Sequence, residues 1–551
     1  MFSELHNIFD AFTKRERRAW LGAIVVFLLS AFLGSINAFY SQTTVAPVAG
    51  GSYEEGIVGQ PSFLNPLIAQ SDADRSVNEL LYRNLLALSE QHKENEGHTV
   101  WSFTLHPDLK WSDGSPLTAN DVVFTVEAIQ DSDTRSPLFA TWQGVTVERV
   151  SEREVRFTLK TPYAFFLDNI QDLKIAPQHI FGTIPTENIR LSDYNLAPVG
   201  SGPYAFDHFV KRKDGFIESY MLKANPHYGA DPPLIKEFVV SFFPSYDEAT
   251  AAFNRKEIGA LGGLEPGHLE DLKIVHEISA FDMPRYYALF LNQNSNAALK
   301  EKAVRVALRE ATNNAGIIQA VFSGHAASAM GPIHPSMKGY DASVYAQDSF
   351  SLDAARARLE SAGWKAGEDG IRGKTIGKET MKLSFTAIVP DIPFLKKTVE
   401  YLVRDWKSIG VELKPLLMNP EDIVRDPIKT RNYEMILFGN ILHNNPDVFS
   451  FWHSSERFAP GLNLALYDSR AVDTVLENIR KDFDATSTTK DVAELEKTIH
   501  DDVPAIFLYS PQYLYAHPKS LGGFEERFIV TPSDRFADVA HWHLKTARIF
   551  R

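Results

Sequence analysis

The stretch "ILFGNILHNNPDVFSFWHSS", from Ile436 to Ser455, holds the densest set of side chains capable of directed chemistry. Asn440, His443, Asn444, Asn445 and Asp447 follow one another there, and amide and imidazole groups can both donate and accept hydrogen bonds. On a cleft wall such a set suits the recognition of amides rather than bond breaking. A second polar loop, "QPSFLNP" (Gln60 to Pro66), offers Gln60 and Asn65 as residues expected to face a ligand. The same residue types also turn chains, and that is the competing reading for both stretches.

The other suggestive patterns fail on spacing. "GEDGIRGKT" (Gly367 to Thr375) resembles a phosphate loop, but five residues rather than four separate Gly367 from Gly373, and its flanks read as hairpin strands. "VHEISA" (Val275 to Ala280) lacks the second histidine of a zinc-protease helix, and no nucleophile elbow is present. His541 and His543 fall on one face of an expected strand and read as ordinary surface. "HPDLKWSDGSPLTANDVVF" (His106 to Phe124) looks like an active site, yet Asp113-Gly114 is a turn dipeptide, and Thr118 with Asp121 forms a capping-box-like helix start. No catalytic residue, metal site or cofactor is expected.

The elements that must carry these residues alternate between strand and helix. "GSYEEGIVG" reads as a strand, and "DADRSVNELLYRNLLAL" places Val77, Leu80, Leu81 and Leu85 at helical spacing. "TVWSFTLHPDLKW" and "EREVRFTLK" alternate at period two. A chain of 551 residues is too long for one hydrophobic core, so two or more lobes are expected. Its net charge of −14 comes without a basic block, which argues against nucleic acid as a partner. It has no cysteine, which excludes disulfides, thiol catalysis and a cysteine-linked lipid anchor.

Lys14, Arg15, Arg17 and Arg18 precede an uncharged run from Trp20 to Tyr40. About 20 apolar residues cross a hydrocarbon layer of about 30 Å. The basic cluster then holds residues 1–19 in the cytoplasm and sends the rest outside, with 20–40 as an uncleaved anchor. A cleaved signal peptide is the alternative. Residues 41–52, "SQTTVAPVAGGS", read as a flexible linker.

The stretch "WSFTLHPDLKWSDGSPLTANDVVFT" resembles a signature of the bacterial extracellular solute-binding proteins of family 5, the peptide- and nickel-binding receptors of ABC transporters. "PVGSGPYAF", "LKANPHYGADPP", "YALFLNQNSNAALKEKAVRVALREATN", "SLDAARARLESAGW", "FSFWHSSERFAPGLNLALY" and "DDVPAIFLYSP" follow in the family's order. The resemblance implies an α/β, two-lobed periplasmic-binding-protein-like fold of the large peptide-binding class. Its first lobe would be 53–285 plus 508–551, with a subdomain about 91–195, and its second 286–507. The chain would cross near Pro284 to Asn292 and Val503 to Pro511. It further implies a monomeric receptor, tethered to the membrane, that hands an oligopeptide or similar solute to ABC permease subunits. A sensor or scaffold uncoupled from transport, or a receptor for a metal chelate, haem or sugar, is the alternative. Peptide-binding relatives carry an aspartate for the peptide's amine where this chain has Leu442, so recognition of a free amine is placed in doubt.

Overall fold

In the computed structural model, which describes residues 13–229, 231–377, 379–525 and 528–550, two large sheets organise the chain. The first has the order Glu277–Phe281, Tyr513–His517, Ala260–Leu264, Ser52–Val58, Glu237–Phe243, Ile217–Ala224, Tyr204–Lys211. Its strand Ser52–Val58 has parallel neighbours on both sides and is largely buried, as a central parallel strand should be. The second sheet runs Ala326–Ser328, Ala505–Pro511, Arg285–Leu291, Met435–Ile441, Ser384–Pro390, Glu412–Met418. The fold is two-lobed and α/β.

Period-two alternation along Arg285–Leu291 builds the second lobe's layers. Leu289 and Leu291 point into a core with Val304, Leu308, Leu395 and Val399, from the helices Lys302–Glu310 and Pro393–Lys407. Ala288 and Phe290 point the other way, onto Val472, Leu476, Val492 and Leu495 of Arg470–Lys481 and Ala485–Asp502. Both faces of the sheet are therefore covered by helices.

A four-stranded antiparallel sheet, Ser89–Glu94, Val100–Leu105, Glu154–Thr158, Thr146–Arg149, rides on the first lobe against the helix Ala119–Gln130. In Val100–Leu105 the buried residues are Trp101, Phe103 and Leu105. The stretch beyond it is structural throughout. Gly114 takes φ +89° in the turn, the Ser115 amide donates to Asp113 Oδ1 at 2.9 Å, and Thr118 and Asp121 close a reciprocal capping box. "GEDGIRGKT" is a hairpin, between Lys365–Ala366 and Arg372–Ile376.

The apolar N-terminal segment is one helix, Lys14–Gln42, with a peak mean hydropathy of 2.2 and no buried residue. At about 1.5 Å per residue it is about 43 Å long; it exceeds the expected span because Thr13 and Glu16 cap it ahead of the basic cluster. The segment expected to be a flexible linker is partly ordered. Thr43–Pro47 pairs antiparallel with Thr546–Phe550, because the β-branched Thr43, Thr44 and Val45 meet a tail that supplies a partner strand. Arg548 lies 4.1 Å from the Tyr40 ring centre, and Phe39 meets Phe550 edge-on. His541 and His543 also depart from expectation: His541 ends a short 3-10 turn, Val539–His541, and no strand carries the pair.

Candidate functional site: the junction between the lobes

The chain passes between the sheets twice, and both passages are short. Asp282 to Pro284 lie between the strand ending at Phe281 and the one starting at Arg285, and Gln512 alone lies between Pro511 and Tyr513. The passages are bound to each other. Gln512 Nε2 donates to Asp282 Oδ1 at 2.9 Å, and Ser510 Oγ donates to the Met283 carbonyl at 3.0 Å. Asp282 also accepts from Ser336 Oγ at 3.1 Å.

Arg285 opens the second-lobe strand at this junction, in register with Ile441, whose side chain is 66% exposed. The Arg285 guanidinium is enclosed, and burial pushes its pKa down while Tyr287, Asp72 and Tyr513 act the other way. Its Nε is buried without a hydrogen-bond partner, and its Nη2 points at the Met283 sulfur. Asp72 is committed to Arg75 at 2.6 Å.

Tyr513 and Asp72 of the first lobe lie close enough to act on this cation, and Tyr513 is seated against two glycines. A Cβ on Gly262 would stand 2.3 Å from the Tyr513 hydroxyl, so only glycine leaves room for that ring. A Cβ on Gly263, which takes φ +70° at a bulge, would stand 3.7 Å from the Tyr246 hydroxyl and 4.0 Å from that of Tyr513. The hydroxyls of Tyr246, Tyr287 and Tyr513 make no hydrogen bond among the described residues. Burial pushes the Tyr246 phenol up to about 12, so it remains a donor near neutral pH.

Further out, the lobes touch through side chains. Tyr163 donates to Asp447 Oδ2 at 2.9 Å, and Arg480 Nε reaches both Asp447 oxygens at 3.0 and 2.9 Å. Asn445 Nδ2 donates to Asp168 Oδ2 at 2.7 Å, and His443 Nδ1 lies 3.8 Å from Asp172 Oδ2. The Ala164 amide donates to the Arg480 carbonyl at 2.8 Å. Aromatic rings are exchanged as well. Phe165 packs into the second-lobe core, while Phe483 packs into the first and stacks on His98 at 3.7 Å. Burial pushes the Asp172 carboxyl up to about 6, with His443 opposing and Asp534 adding to the shift.

The residues singled out from sequence divide accordingly. His443, Asn445 and Asp447 lie together on the interlobe contact, and Asn444 beside them is exposed. Asn65 does not face a ligand space. It is fully buried, donates to Asn195 Oδ1 at 3.1 Å and accepts from the Leu67 amide, so it braces its own loop. Asn440 is likewise buried and donates to the Tyr286 hydroxyl at 2.8 Å, inside the second lobe. Gln60 is exposed, and its Oε1 accepts from the Ile217 amide at 2.9 Å. Leu442 is packed in the second-lobe core. Sequence reasoning missed the opposing partners Tyr163, Asp168 and Asp172, and Arg480 on the same lobe as Asp447, which carry no local signal. It also missed Arg285, whose signal was available: a cation opening an otherwise apolar strand.

Against known proteins, residues 82–458 match the family described as bacterial extracellular solute-binding proteins, family 5 Middle. The oligopeptide-binding protein AppA of Bacillus subtilis is 26% identical over 540 residues, covering 93% of this chain and 97% of that protein. The probable D,D-dipeptide-binding periplasmic protein DdpA of Escherichia coli is 25% identical over 493 residues, 85% of this chain and 90% of its own. The solved structure of Bacillus subtilis AppA with a nonapeptide superposes with a TM-score of 0.71 at 25% identity, over 91% of this chain and all (100%) of that one. The ABC transporter substrate-binding protein CtaP of Listeria monocytogenes superposes at 0.76 with 24% identity, over 90% and 99%.

Proposed function

The chain belongs to the bacterial extracellular solute-binding proteins of family 5, and we propose that it captures an oligopeptide between its lobes and delivers it to an ABC permease. The observation that carries this reading is the junction itself. Two adjacent, mutually bonded passages join lobes that meet again through polar side chains farther out, which is the geometry of hinged closure over a solute. The exposed Ile441 and the tyrosine hydroxyls at the junction offer apolar and hydrogen-bonding surface to a peptide.

In this reading His443, Asn445 and Asp447 close the lobes over the ligand, and Asn444 contacts it. Gln60 keeps the first-lobe rim in place. Binding and release are the whole of the chemistry, with no covalent step. The helix Lys14–Gln42 tethers a monomeric receptor on the outer side of the membrane, next to the permease. The lobe boundaries follow the passages, so Arg285 and residues 508–511, expected in the first lobe, go with the second: 53–284 and 512–551 on one side and 285–511 on the other. The strand Thr43–Pro47 and its C-terminal partner would fix the angle between anchor and receptor.

Native mass spectrometry of the full-length protein, extracted in detergent from a peptide-rich host, tests the reading. Retained masses of short peptides are expected. A protein that carries only sugar or metal chelate, or none of these after exposure to peptide pools, would overturn the peptide assignment.

A further inference from the structure

We propose that Arg285 is the solute's anion-recognition residue and that the receptor selects ligands carrying a carboxylate at the junction. The inference rests on the receptor reading and adds the chemistry by which the solute is recognised.

Arginine presents five N–H donors in a planar fork, and a buried guanidinium ordinarily spends them on carboxylates, carbonyls or aromatic faces. Arg285 does none of these with its Nε, which is buried and unpartnered, and it makes no ion pair among the described residues. Its one polar contact is the thioether of Met283, a weak acceptor. The nearby carboxylate of Asp72 is occupied by Arg75. Arg83 also has unpartnered guanidinium nitrogens, but it rests over the Tyr228 ring at 5.2 Å. No ring contact of that kind serves Arg285 among the described residues.

Beside Arg285, along with Asp72, lie hydroxyls suited to an incoming anion. The hydroxyls of Tyr287 and Tyr513, both close enough to act on Arg285, are donors without partners among the described residues. Gly262 gives its place to the Tyr513 ring, with Glu55 Oε1 3.3 Å from where a Cβ would stand, and Gly263 leaves room beside the Tyr513 hydroxyl. A carboxylate seated there would take a forked bond from the guanidinium and further bonds from hydroxyls, in surroundings where charge-assisted bonds are strong. Strand geometry places this cation at the first residue of the second lobe, facing Tyr513 and Asp72 of the first. An anion held there touches both lobes and favours their closure.

The carboxylate can belong to a peptide's C-terminus or to an acidic side chain, and three hexapeptide pools separate these sources. One has neutral side chains and a free C-terminal carboxylate, one the same side chains and a C-terminal amide, and one an amide with a single Glu. Affinities are measured on the full-length protein and on its R285Q and R285K forms, with near-ultraviolet circular dichroism to verify folding. Wild-type protein is expected to bind at least one carboxylate-bearing pool tenfold or more tightly than the neutral amide pool. R285Q is expected to lose that preference and R285K to retain part of it. Equal binding of all pools by the wild type, or an unchanged preference in R285Q, overturns the assignment while leaving peptide binding intact. If no pool binds, the peptide reading falls. The same comparison is then made with acetate, succinate and glutamate against their amides. A carboxylate preference abolished in R285Q upholds Arg285, and equal binding or none overturns it.

Discussion

Two enclosed arginines in this protein have opposite surroundings. Arg535 is fully provided for: its Nε donates to Glu55 Oε1 at 2.9 Å, one Nη donates to Ser76 Oγ at 3.2 Å and to the Pro532 carbonyl, and Phe536 lies 4.0 Å from its guanidinium carbon. Glu55 is in turn held by the Tyr515 hydroxyl at 2.7 Å, and that hydroxyl meets Tyr53. Arg285 has a sulfur atom and an unpartnered Nε. A fold can afford a buried cation when every donor is answered, and Arg535 is a structural element of the first lobe. An unanswered one persists where something else completes it, and Arg285 lies where the lobes open.

The largest expected effect breaks the satisfied side of this contrast. Replacing Glu55 by Gln leaves Arg535 buried opposite a neutral group, and loss of one partner of a buried pair costs about 3–5 kcal/mol. Urea unfolding should register that loss without regard to added solute. A change below about 1 kcal/mol would mean that the pair adds little beyond its hydrogen bonds.

A third buried charge sharpens the comparison because it has no cation. Glu496 is fully buried, accepts from the Asp341 amide at 2.8 Å and the Tyr345 hydroxyl at 3.1 Å, and is pushed by burial up to about 7. Its folded pKa lies above the unfolded value of 4.5, so the folded state holds the proton more tightly. The stability this contributes is full below pH 4.5 and is lost as the pH rises through about 7. Glu496→Gln should remove that dependence and stabilise the protein at pH 8, by at most about 3 kcal/mol. Thermal unfolding of both proteins from pH 5 to 8 measures it; parallel profiles would refute it.

At the interlobe contact Asp447 is paired with Arg480 on its own lobe and accepts from Tyr163 across a surface that must also separate. Asp447→Asn weakens the bonds from Arg480 and Tyr163, and about 1–2 kcal/mol of closure should go with the second, which alone crosses between lobes. The expected readout is a more open ligand-free form in small-angle scattering and faster ligand release. An unchanged scattering profile would assign these contacts to rigidity within the closed form alone.

Local chemistry made the fold legible, and longer-range geometry hid much of the site. The turn at Gly114, the cap at Thr118 and the alternation in Val100–Leu105 each depend on residues close in sequence, and each was readable there. The order of Thr43–Pro47 was not, because its partner lies at the far end of the chain. Asn65 and Asn445 are the same residue type in loops of similar polarity. One is spent on Asn195 within its lobe and the other on Asp168 across the gap, a difference set by which element lies opposite. Asp447 likewise reads as an available carboxylate until Arg480 folds onto it.

The smallest expected effect tests the unsatisfied side. In Arg285→Met the flexible thioether keeps much of the side chain's apolar stem and removes a half-buried charge with an unanswered donor. Replacing a buried charge by a hydrophobic residue is often neutral or stabilising when the charge gains little from its surroundings. The ligand-free protein should therefore hold its unfolding midpoint or gain up to about 1 kcal/mol, the reverse in sign of the loss from Glu55→Gln. Stability and binding should part company here: a fold as firm as the wild type that no longer prefers carboxylates. A loss of 3 kcal/mol or more, on the scale of about 3–5 kcal/mol for breaking a buried pair, would place Arg285 with Arg535 among the structural cations. The contrast between them would then be one of packing rather than of purpose.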